Sequence, residues 1–438
     1  MSQPSQQRRS RWALSRRGGS LSVFLRGRPI GSLERTGPSR YRFAYNGNAL
    51  QGDWGDPLAR LSASLPLREE RFKPSGAAPF FEGLLPEGAV RSAIASRLGI
   101  SEADGFSMLA ALGADCAGAV TVLPEDRPSR APEAAARPLS ENQLGELLRD
   151  LPRNPLGIDV DSGGVRLSLG GVQDKLILVR LPTGEFAQPL GGAPSNCLLK
   201  PEHERYEALA VNEAFCMRVA AAAGNDAATT ELLEIDGIRC LYSARFDRTL
   251  DADGTTVRLH QEDMCQALGL LPTQKYEADD GPSVSSVIAL LRRQPSSRIA
   301  LDVNAFVRAV LTCFLLGNSD AHGKNFSLLY EPATGVRLAP LYDVVSTAVY
   351  DDLTPRLAMA IGGEDDPSRV DLLCWERLGA ESGLGGTLPR FVQRWSREIL
   401  AATETCLRDA EQEGWSHPVL EAIANLCGER ARRLIDGR

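Results

Sequence analysis

Histidine is scarce in this sequence: four residues in 438, at positions 203, 260, 322 and 417. They lie far apart, which argues against a zinc site. No Cys-x-x-Cys pair occurs, and the nine cysteines (116, 197, 216, 240, 265, 313, 374, 406 and 427) are scattered through apolar surroundings. An odd, dispersed set predicts reduced core thiols in a cytoplasmic protein. No run of 18 apolar residues is seen in the sequence, so neither a membrane span nor a membrane partner is expected. The stretch 1–17 is polar and Arg-rich and lacks the apolar segment of a signal peptide. Residues 1–19 therefore read as a disordered tail, with a phosphate-contacting arm as the lesser alternative. Excess positive charge is missing too. A net charge of −7 argues against a free-standing nucleic-acid binder, while leaving open contact with DNA through a basic partner. There is no internal repeat and no heptad run.

What is present is a globular composition, 43% hydrophobic and 24% charged, in a chain long enough for two to three domains. Residues 20–123 read as a small α/β unit. Strands are expected at 21–25, 30–33 and 41–45, with Gly27-Arg28-Pro29 turning the first into the second. Helical spacing runs over 90–98 with Gly99 as its cap, and Ser101 to Asp104 opens a second helix ending at Leu112. Residues 124–139, rich in Pro, Arg and Ala, read as a linker. The region 140–248 starts with a helix capped by Ser140 and Gln143. It continues with strands at 175–180 and 196–200, a helix over 204–223 closed by Gly224, and a hairpin about Asp236-Gly237. Residues 249–438 are mainly helical, with candidate helices over 262–268, 284–293, 303–316, 388–407 and 417–435.

The chemistry concentrates in Asn318-Ser319-Asp320-Ala321-His322-Gly323-Lys324-Asn325, followed by Leu341-Tyr342-Asp343-Val344. An Asp with an Asn five residues later has the spacing of a kinase catalytic loop. In that role Asp320 orients the acceptor hydroxyl, and Asn325 and Asp343 bind Mg²⁺, which needs only a few protein oxygens besides phosphate. The competing reading is a helix C-cap turn, which Asn, Ser, Asp and Gly also suit. Lys200 ends an apolar strand, a costly place for a charge unless it is paired with phosphates and a helix carboxylate. Glu213 is the candidate carboxylate and Glu207 the alternative, while a lysine reaching out to solvent is the rival reading. The loop Ser168-Leu169-Gly170-Gly171-Val172-Gln173-Asp174-Lys175 is neither a Walker A nor a G-x-G-x-x-G sequence. It reads either as a hairpin turn or as backbone N–H groups approaching phosphates. His322 is expected to organise the catalytic loop, and Lys324 to neutralise the transferring phosphate or to lie on the surface.

Taken together, the 168–175 loop, Leu198-Leu199-Lys200-Pro201, Asn212-Glu213, Arg245-Phe246-Asp247-Arg248, Gln261-Glu262-Asp263, the Asp320 loop and Tyr342-Asp343-Val344 resemble the HipA family of bacterial toxin kinases. They stand in the family's order and span most of the chain. Phe80-Phe81-Glu82-Gly83-Leu84-Leu85-Pro86 resembles the signature of the family's N-terminal subdomain.

The resemblance implies an α+β, bilobal, protein-kinase-like (PI3/4-kinase-like) fold. It has a β-rich small lobe, an added N-terminal α/β subdomain and an all-α large lobe. It implies ATP and Mg²⁺ as cofactors, with ATP under the loop formed by Ser168, Leu169, Gly170, Gly171, Val172, Gln173 and Lys175, and its α/β-phosphates held by Lys200 with Glu213. Ser168 corresponds to a serine that family members phosphorylate on themselves, which would place negative charge beside the ATP phosphates and switch the enzyme off. Implied partners are a small, dimeric helix-turn-helix antitoxin of the HipB type, operator DNA reached through it, and a protein substrate. That substrate is typically an aminoacyl-tRNA synthetase such as the glutamyl enzyme, whose modification halts translation and leads to persistence. Two other classes remain: a kinase of the same fold acting on a small molecule or lipid, and a catalytically idle corepressor. The motifs Arg245-Phe246-Asp247-Arg248 and Gln261-Glu262-Asp263 suggest ion pairing and a helix start, with no catalytic role assigned.

Overall fold

The computed structural model describes residues 19–37, 40–52, 60–125, 136–156, 174–252, 254–331, 335–415 and 417–437. The expected tail (to residue 18), most of the linker and Ser168, Leu169, Gly170, Gly171, Val172 and Gln173 lie outside the described residues.

The chain begins with an antiparallel four-stranded sheet. β1 (Ser20–Leu25), β2 (Arg28–Gly37), β3 (Arg40–Tyr45) and β4 (Val120–Pro124) are ordered β3-β2-β1-β4. The β1–β2 turn sits at Arg26-Gly27, with φ of 51° and 75°, and so starts one residue before the Gly27-Arg28-Pro29 turn expected from the sequence. Two residues with positive φ give the turn a twist matching the strands, and Pro29 instead enters β2 opposite Phe24. Three helices, Pro74–Gly83, Gly88–Leu98 and Gly105–Leu112, accompany this sheet. Gly99 closes the second as expected, with φ 66°. The third starts later than expected because Asp104, not Ser101, supplies the cap, accepting from Ser107 N. Leu21, Phe43, Phe80, Phe81, Phe106 and Val122 form a core of this unit's own.

A six-stranded antiparallel sheet follows, ordered β5-β7-β6-β8-β10-β9. Its members are β5 (Ala136–Pro138), β6 (Leu176–Arg180), β7 (Phe186–Pro189), β8 (Cys197–Pro201), β9 (Thr230–Ile235) and β10 (Ile238–Ala244). β5 comes from the end of the expected linker, where pairing with β7 overrides the Pro-rich composition. The Ser140–Gln143 capping box forms in full on the helix Glu141–Asp150. The Asp236-Gly237 turn also forms as expected, both residues at positive φ. The helix Leu209–Ala222 begins five residues after the expected start, behind Ala208 in a left-handed conformation.

The rest is helical, with a small sheet set into it. β11 (Arg248–Leu250) and β12 (Thr256–Arg258) make a hairpin, and β13 (His260–Asp263), β14 (Ser327–Glu331) and β15 (Gly335–Leu338) a three-stranded sheet. Gln261-Glu262-Asp263 is therefore a strand. Only at Asp263 does it become the cap of the helix Met264–Leu268. The principal helices are Val284–Arg292, Ile299–Leu316, Leu372–Glu381, Leu388–Gln412 and Pro418–Asp436, and Leu372–Glu381 is one the sequence reading missed. Ile299–Leu316, interrupted by Asp302, Asn304 and Arg308, is long and apolar enough to cross a bilayer by length and composition, but two thirds of it is buried within the fold. Phe306, Leu311, Phe314 and Leu315 share a core with Phe215, Trp375, Ile399 and Leu434. The helix ends at Gly317, φ 81°, where a Cβ would come within 2.5 Å of Leu426 Cδ2. That tight, left-handed exit launches residues 318–325 towards the small lobe.

Candidate active site

Lys200 lies on β8 with Leu241 of β10 opposite it in the sheet, and its side chain is only 7% exposed. Its ammonium meets two carboxylates: Glu213 Oε1 at 2.7 Å and Asp343 Oδ1 at 2.6 Å. Burial would lower the lysine's pKa, but the two negative charges outweigh it and hold the group above its ordinary value. Glu213 is raised, chiefly by its own burial, with Lys200 opposing. Asp343 falls to about 2, because Lys200 overcomes the cost of burial. Glu207, the alternative partner, points elsewhere. It is 89% exposed and lies 3.4 Å from His417.

Glu213 is placed by the helix Leu209–Ala222, which is tied to the segment after Asp343. Asn212 Nδ2 donates to Ser346 O at 2.9 Å, and Ser346 N donates to Asn212 Oδ1 at 2.8 Å. Asp343 itself has φ 60°, an uncommon conformation for a residue with a side chain, and Asp is among the residue types that tolerate it. On its N-terminal side, Leu341 N donates to Asp226 O and Ala228 N to Leu341 O, anchoring the segment against the loop before β9. Asn325 Nδ2 donates to Asp343 Oδ2 at 2.8 Å. Lys200, Glu213, Asn325 and Asp343 thus form one continuous cluster although 143 residues separate its ends.

The loop from Asn318 to Asn325 is held by its own backbone and by its neighbours. His322 N donates to Asp320 O at 2.8 Å and to Asn325 Oδ1 at 3.3 Å. Asp320 is exposed, and Tyr276 donates its hydroxyl to Asp320 Oδ1 at 2.9 Å. His322 is buried, which lowers its pKa, and both Asp320 and Asp343 act on it electrostatically. It organises the loop as a backbone cap, with its ring edge-on to Tyr276. Lys324 departs from the phosphate-facing role considered for it. Its ammonium lies 2.7 Å from Asp263 Oδ2 and 3.5 Å from Glu87 Oε1, only 8% exposed. It ties the loop to β13 and to the N-terminal unit.

Lys175, just ahead of β6, is buried and lowered to about 8, first by desolvation and then by Lys200. Asp343, Glu213 and Glu87 act on it in the opposite direction, so it belongs electrostatically to the same cluster. The rest of its loop, Ser168 to Gln173, is outside the described residues. Sequence reasoning did not single out Tyr276 or Glu87 for this site. Tyr276 carries no spacing signal, and Glu87 was visible only as part of Pro86-Glu87-Gly88 before a helix. Among the described residues no group of three or more His, Cys, Asp or Glu could cage a metal. Asn325 and Asp343 offer instead the sparse oxygen set that Mg²⁺ completes with phosphates and water. The 41% exposure of the Asp343 side chain leaves lone pairs open to such an ion.

The second motif cluster is different in kind. Arg245 binds Asp247 through Nε at 2.9 Å and Nη2 at 2.7 Å. Arg248 Nη2 and Arg258 Nη2 each lie 3.0 Å from Asp115 Oδ1. Ser195 bridges the two halves, donating to Asp115 Oδ2 and accepting from Arg245 Nη1. Asp115 precedes β4, so this buried knot fastens the N-terminal unit to the six-stranded sheet and the β11–β12 hairpin.

Comparison with known proteins finds relatives over most of the chain. Residues 167–408 match the model of the HipA-like C-terminal domain, and residues 21–123 that of the HipA N-terminal domain. The chain is 42% identical over 395 residues to Y4mE of Sinorhizobium fredii, a protein named as a candidate kinase, covering 89% of this chain and 92% of that one. It is 31% identical over 350 residues to the serine/threonine-protein kinase toxin HipA of Shewanella oneidensis, covering 77% of each. Among solved structures it is similar to a complex of Shewanella oneidensis MR-1 HipA, HipB and operator DNA, with a TM-score of 0.77 at 27% identity, covering 95% of this chain and 96% of that one.

Proposed function

This chain belongs to the HipA family, its fold is α+β and bilobal, and it is a protein kinase; from that premise we propose an ATP- and Mg²⁺-dependent serine/threonine kinase that acts as the toxin of a toxin–antitoxin pair. The observation that carries the reading is the bridging of Lys200 to Glu213 and Asp343, with Asn325 on the other oxygen of Asp343. Magnesium-bound ATP supplies the phosphoryl group and the charge neutralisation that the transfer needs. Lys200, aimed by Glu213, holds the α- and β-phosphates, and Lys175 adds a second positive charge beside them. Asn325 and Asp343 provide the metal ligands from the protein. Asp320 orients the acceptor hydroxyl and takes its proton. Alignment and charge placement are the main demands of phosphoryl transfer, and these groups are of the kinds that meet them.

The finer assignments extend the same reading. Ser168 is the site of self-phosphorylation that switches the enzyme off. A HipB-like dimeric helix-turn-helix antitoxin restrains it and brings it to operator DNA, where it acts as corepressor. The substrate is an aminoacyl-tRNA synthetase of the glutamyl type, and the enzyme works in the cytoplasm. The test is incubation with γ-labelled ATP and Mg²⁺, followed by mapping of the phosphosite in the wild type and in Asp320→Asn. Label on Ser168 or on a synthetase, absent in the variant, supports the proposal. No label with intact antitoxin binding sinks it in favour of an idle corepressor, and label only on an added metabolite in favour of a small-molecule kinase.

A further inference from the structure

Tyr276 touches the acceptor-orienting group, yet the scheme above gives it no task. Its hydroxyl donates to Asp320 Oδ1 at 2.9 Å, and its ring stands edge-on to His322 with centroids 5.3 Å apart. Among the described residues no other side chain hydrogen-bonds the Asp320 carboxylate. The phenol is delivered by a fixed segment. Lys275 O accepts from Gly323 N at 3.0 Å, so the residue before Tyr276 is stitched to the loop that carries Asp320. Asp279 N and Gly281 N both donate to Tyr276 O at 3.0 Å. Pro282 packs so closely on Gly323 that a Cβ there would lie 2.4 Å from Pro282 Cγ. Lys275 in turn reaches Glu87 Oε2 of the N-terminal unit at 3.5 Å.

An exposed aspartate is free to rotate and to offer either oxygen to solvent. A neutral donor fixed on one oxygen removes that freedom and leaves the other oxygen for an incoming hydroxyl. Burial and the neighbouring Asp320 both raise the phenol's pKa, so it remains a donor across the neutral range. We propose that Tyr276 is a positioning residue of this kinase: its hydroxyl pins the Asp320 carboxylate through Oδ1 and leaves Oδ2 facing the acceptor. The inference rests on the assignment of Asp320 as the acceptor-orienting group.

The decisive comparison is Tyr276→Phe against wild type, followed as label transfer from γ-labelled ATP to whichever serine the wild type labels, in the chain itself or in a test peptide. The expected result is a fall of roughly tenfold in the transfer rate constant at saturating ATP, with KM for ATP and the thermal midpoint unchanged. Unchanged transfer overturns the proposal, as does faster transfer, which would make the phenol an obstruction. A loss of activity that only tracks a loss of folded protein also overturns it. A second variant reads the contact directly. With a fluorinated tyrosine at 276, whose phenol ionises near neutral pH, transfer should decline as pH rises through that ionisation, because a phenolate repels Asp320. A pH profile identical to wild type counts against the contact. Asp320→Asn separates the two levels. Full transfer in that variant removes the role of Asp320 and this inference together. Loss of transfer there, with Tyr276→Phe unaffected, removes this inference alone.

Discussion

Two clusters of buried charge lie in this molecule, and they are built to opposite ends. Around Asp115 and Asp247, three arginines and two aspartates use one another up. Asp115 is 0% exposed, and Ser195, Gly118 N and the backbone carbonyls of Cys116, Gly118, Gly192, Ser195 and Asp247 take further hydrogen bonds. Around Lys200 the pairing stops short. Glu213 is enclosed, but Asp343 keeps 41% of its side chain open, and Lys175 adds a second positive charge close by. A closed cluster has no need of a ligand. An open one, with two lysines near a carboxylate at the rim, is what the proposed binding of an anion together with a cation requires. The closed cluster draws three of its charges from one short run, Arg245 to Arg248, whereas the open one gathers single residues whose ends are 143 positions apart. Only the accounting of their partners separates structure from function.

The largest effects should come from cutting the open cluster. Lys200→Met in that cluster, or Asp320→Asn in the exposed loop beside it, should lower phosphoryl transfer by about a thousandfold or more, by the loss of phosphate placement or of acceptor alignment. The check is transfer rate alongside a denaturant titration, because Asp320 is exposed and Asp320→Asn should leave the unfolding midpoint where it was. Cutting the closed cluster should do the reverse. Asp115→Asn leaves buried arginines short of a counter-charge and should cost about 3–5 kcal/mol of stability. The urea midpoint would show this, while the KM for ATP of the remaining folded enzyme stays the same. If Asp115→Asn instead weakened ATP binding without unfolding the chain, the division between the clusters would be wrong.

A smaller effect sits on the border between them. Lys175 is lowered to about 8 from its ordinary 10.5 by burial and by Lys200. Below pH 8 it is charged in both folded and unfolded chains, and the native state bears the full cost. Between about 8 and 10.5 the unfolded chain binds the extra proton, so this group's contribution to stability improves as pH rises. Lys175→Met should therefore be more stable than wild type at pH 7, with the gap closing by pH 10, and should bind ATP several-fold more weakly. Thermal melts at the two pH values and an ATP titration at pH 7 provide the measurement.

The comparison also shows what was legible in the sequence. The meeting of Lys200, Asn325 and Asp343 could be anticipated because the Asp320-to-Asn325 spacing and the later Asp343 together form a pattern, and a lysine at a buried strand end needs a partner. The capping box at Ser140 and the Asp236-Gly237 turn were readable because their cause is local. The Gln261-Glu262-Asp263 strand was not, since its pairing partner β14 begins 64 residues after β13 ends and follows the catalytic loop. Asp263 looked like a helix cap and is one, but it also holds Lys324, a contact decided by tertiary packing. The destination of Lys324 was missed for the same reason: a lysine beside the asparagine of a kinase-like loop suggests phosphate, and nothing local reveals that Glu87 and Asp263 already await it.

The smallest effect belongs to the residue that local reasoning could not separate from Glu213. Glu207 stands near the same helix and could have served Lys200 equally well on spacing alone. In the fold it precedes the left-handed residue Ala208 and lies outside the helix Leu209–Ala222; its carboxylate lies 3.4 Å from His417, its carbonyl accepts from the Tyr350 hydroxyl at 3.0 Å, and 89% of its side chain is in solvent. An exposed pair of this kind contributes about 0–1 kcal/mol. Glu207→Ala should leave both transfer rate and unfolding midpoint within error of wild type, whereas Glu213→Gln should impair transfer and raise the KM for ATP. Measuring the two side by side tests whether closure around Lys200, more than mere proximity in sequence, makes a carboxylate part of the site. Equal losses in the two variants would mean that the helix is unwound or rotated when nucleotide binds.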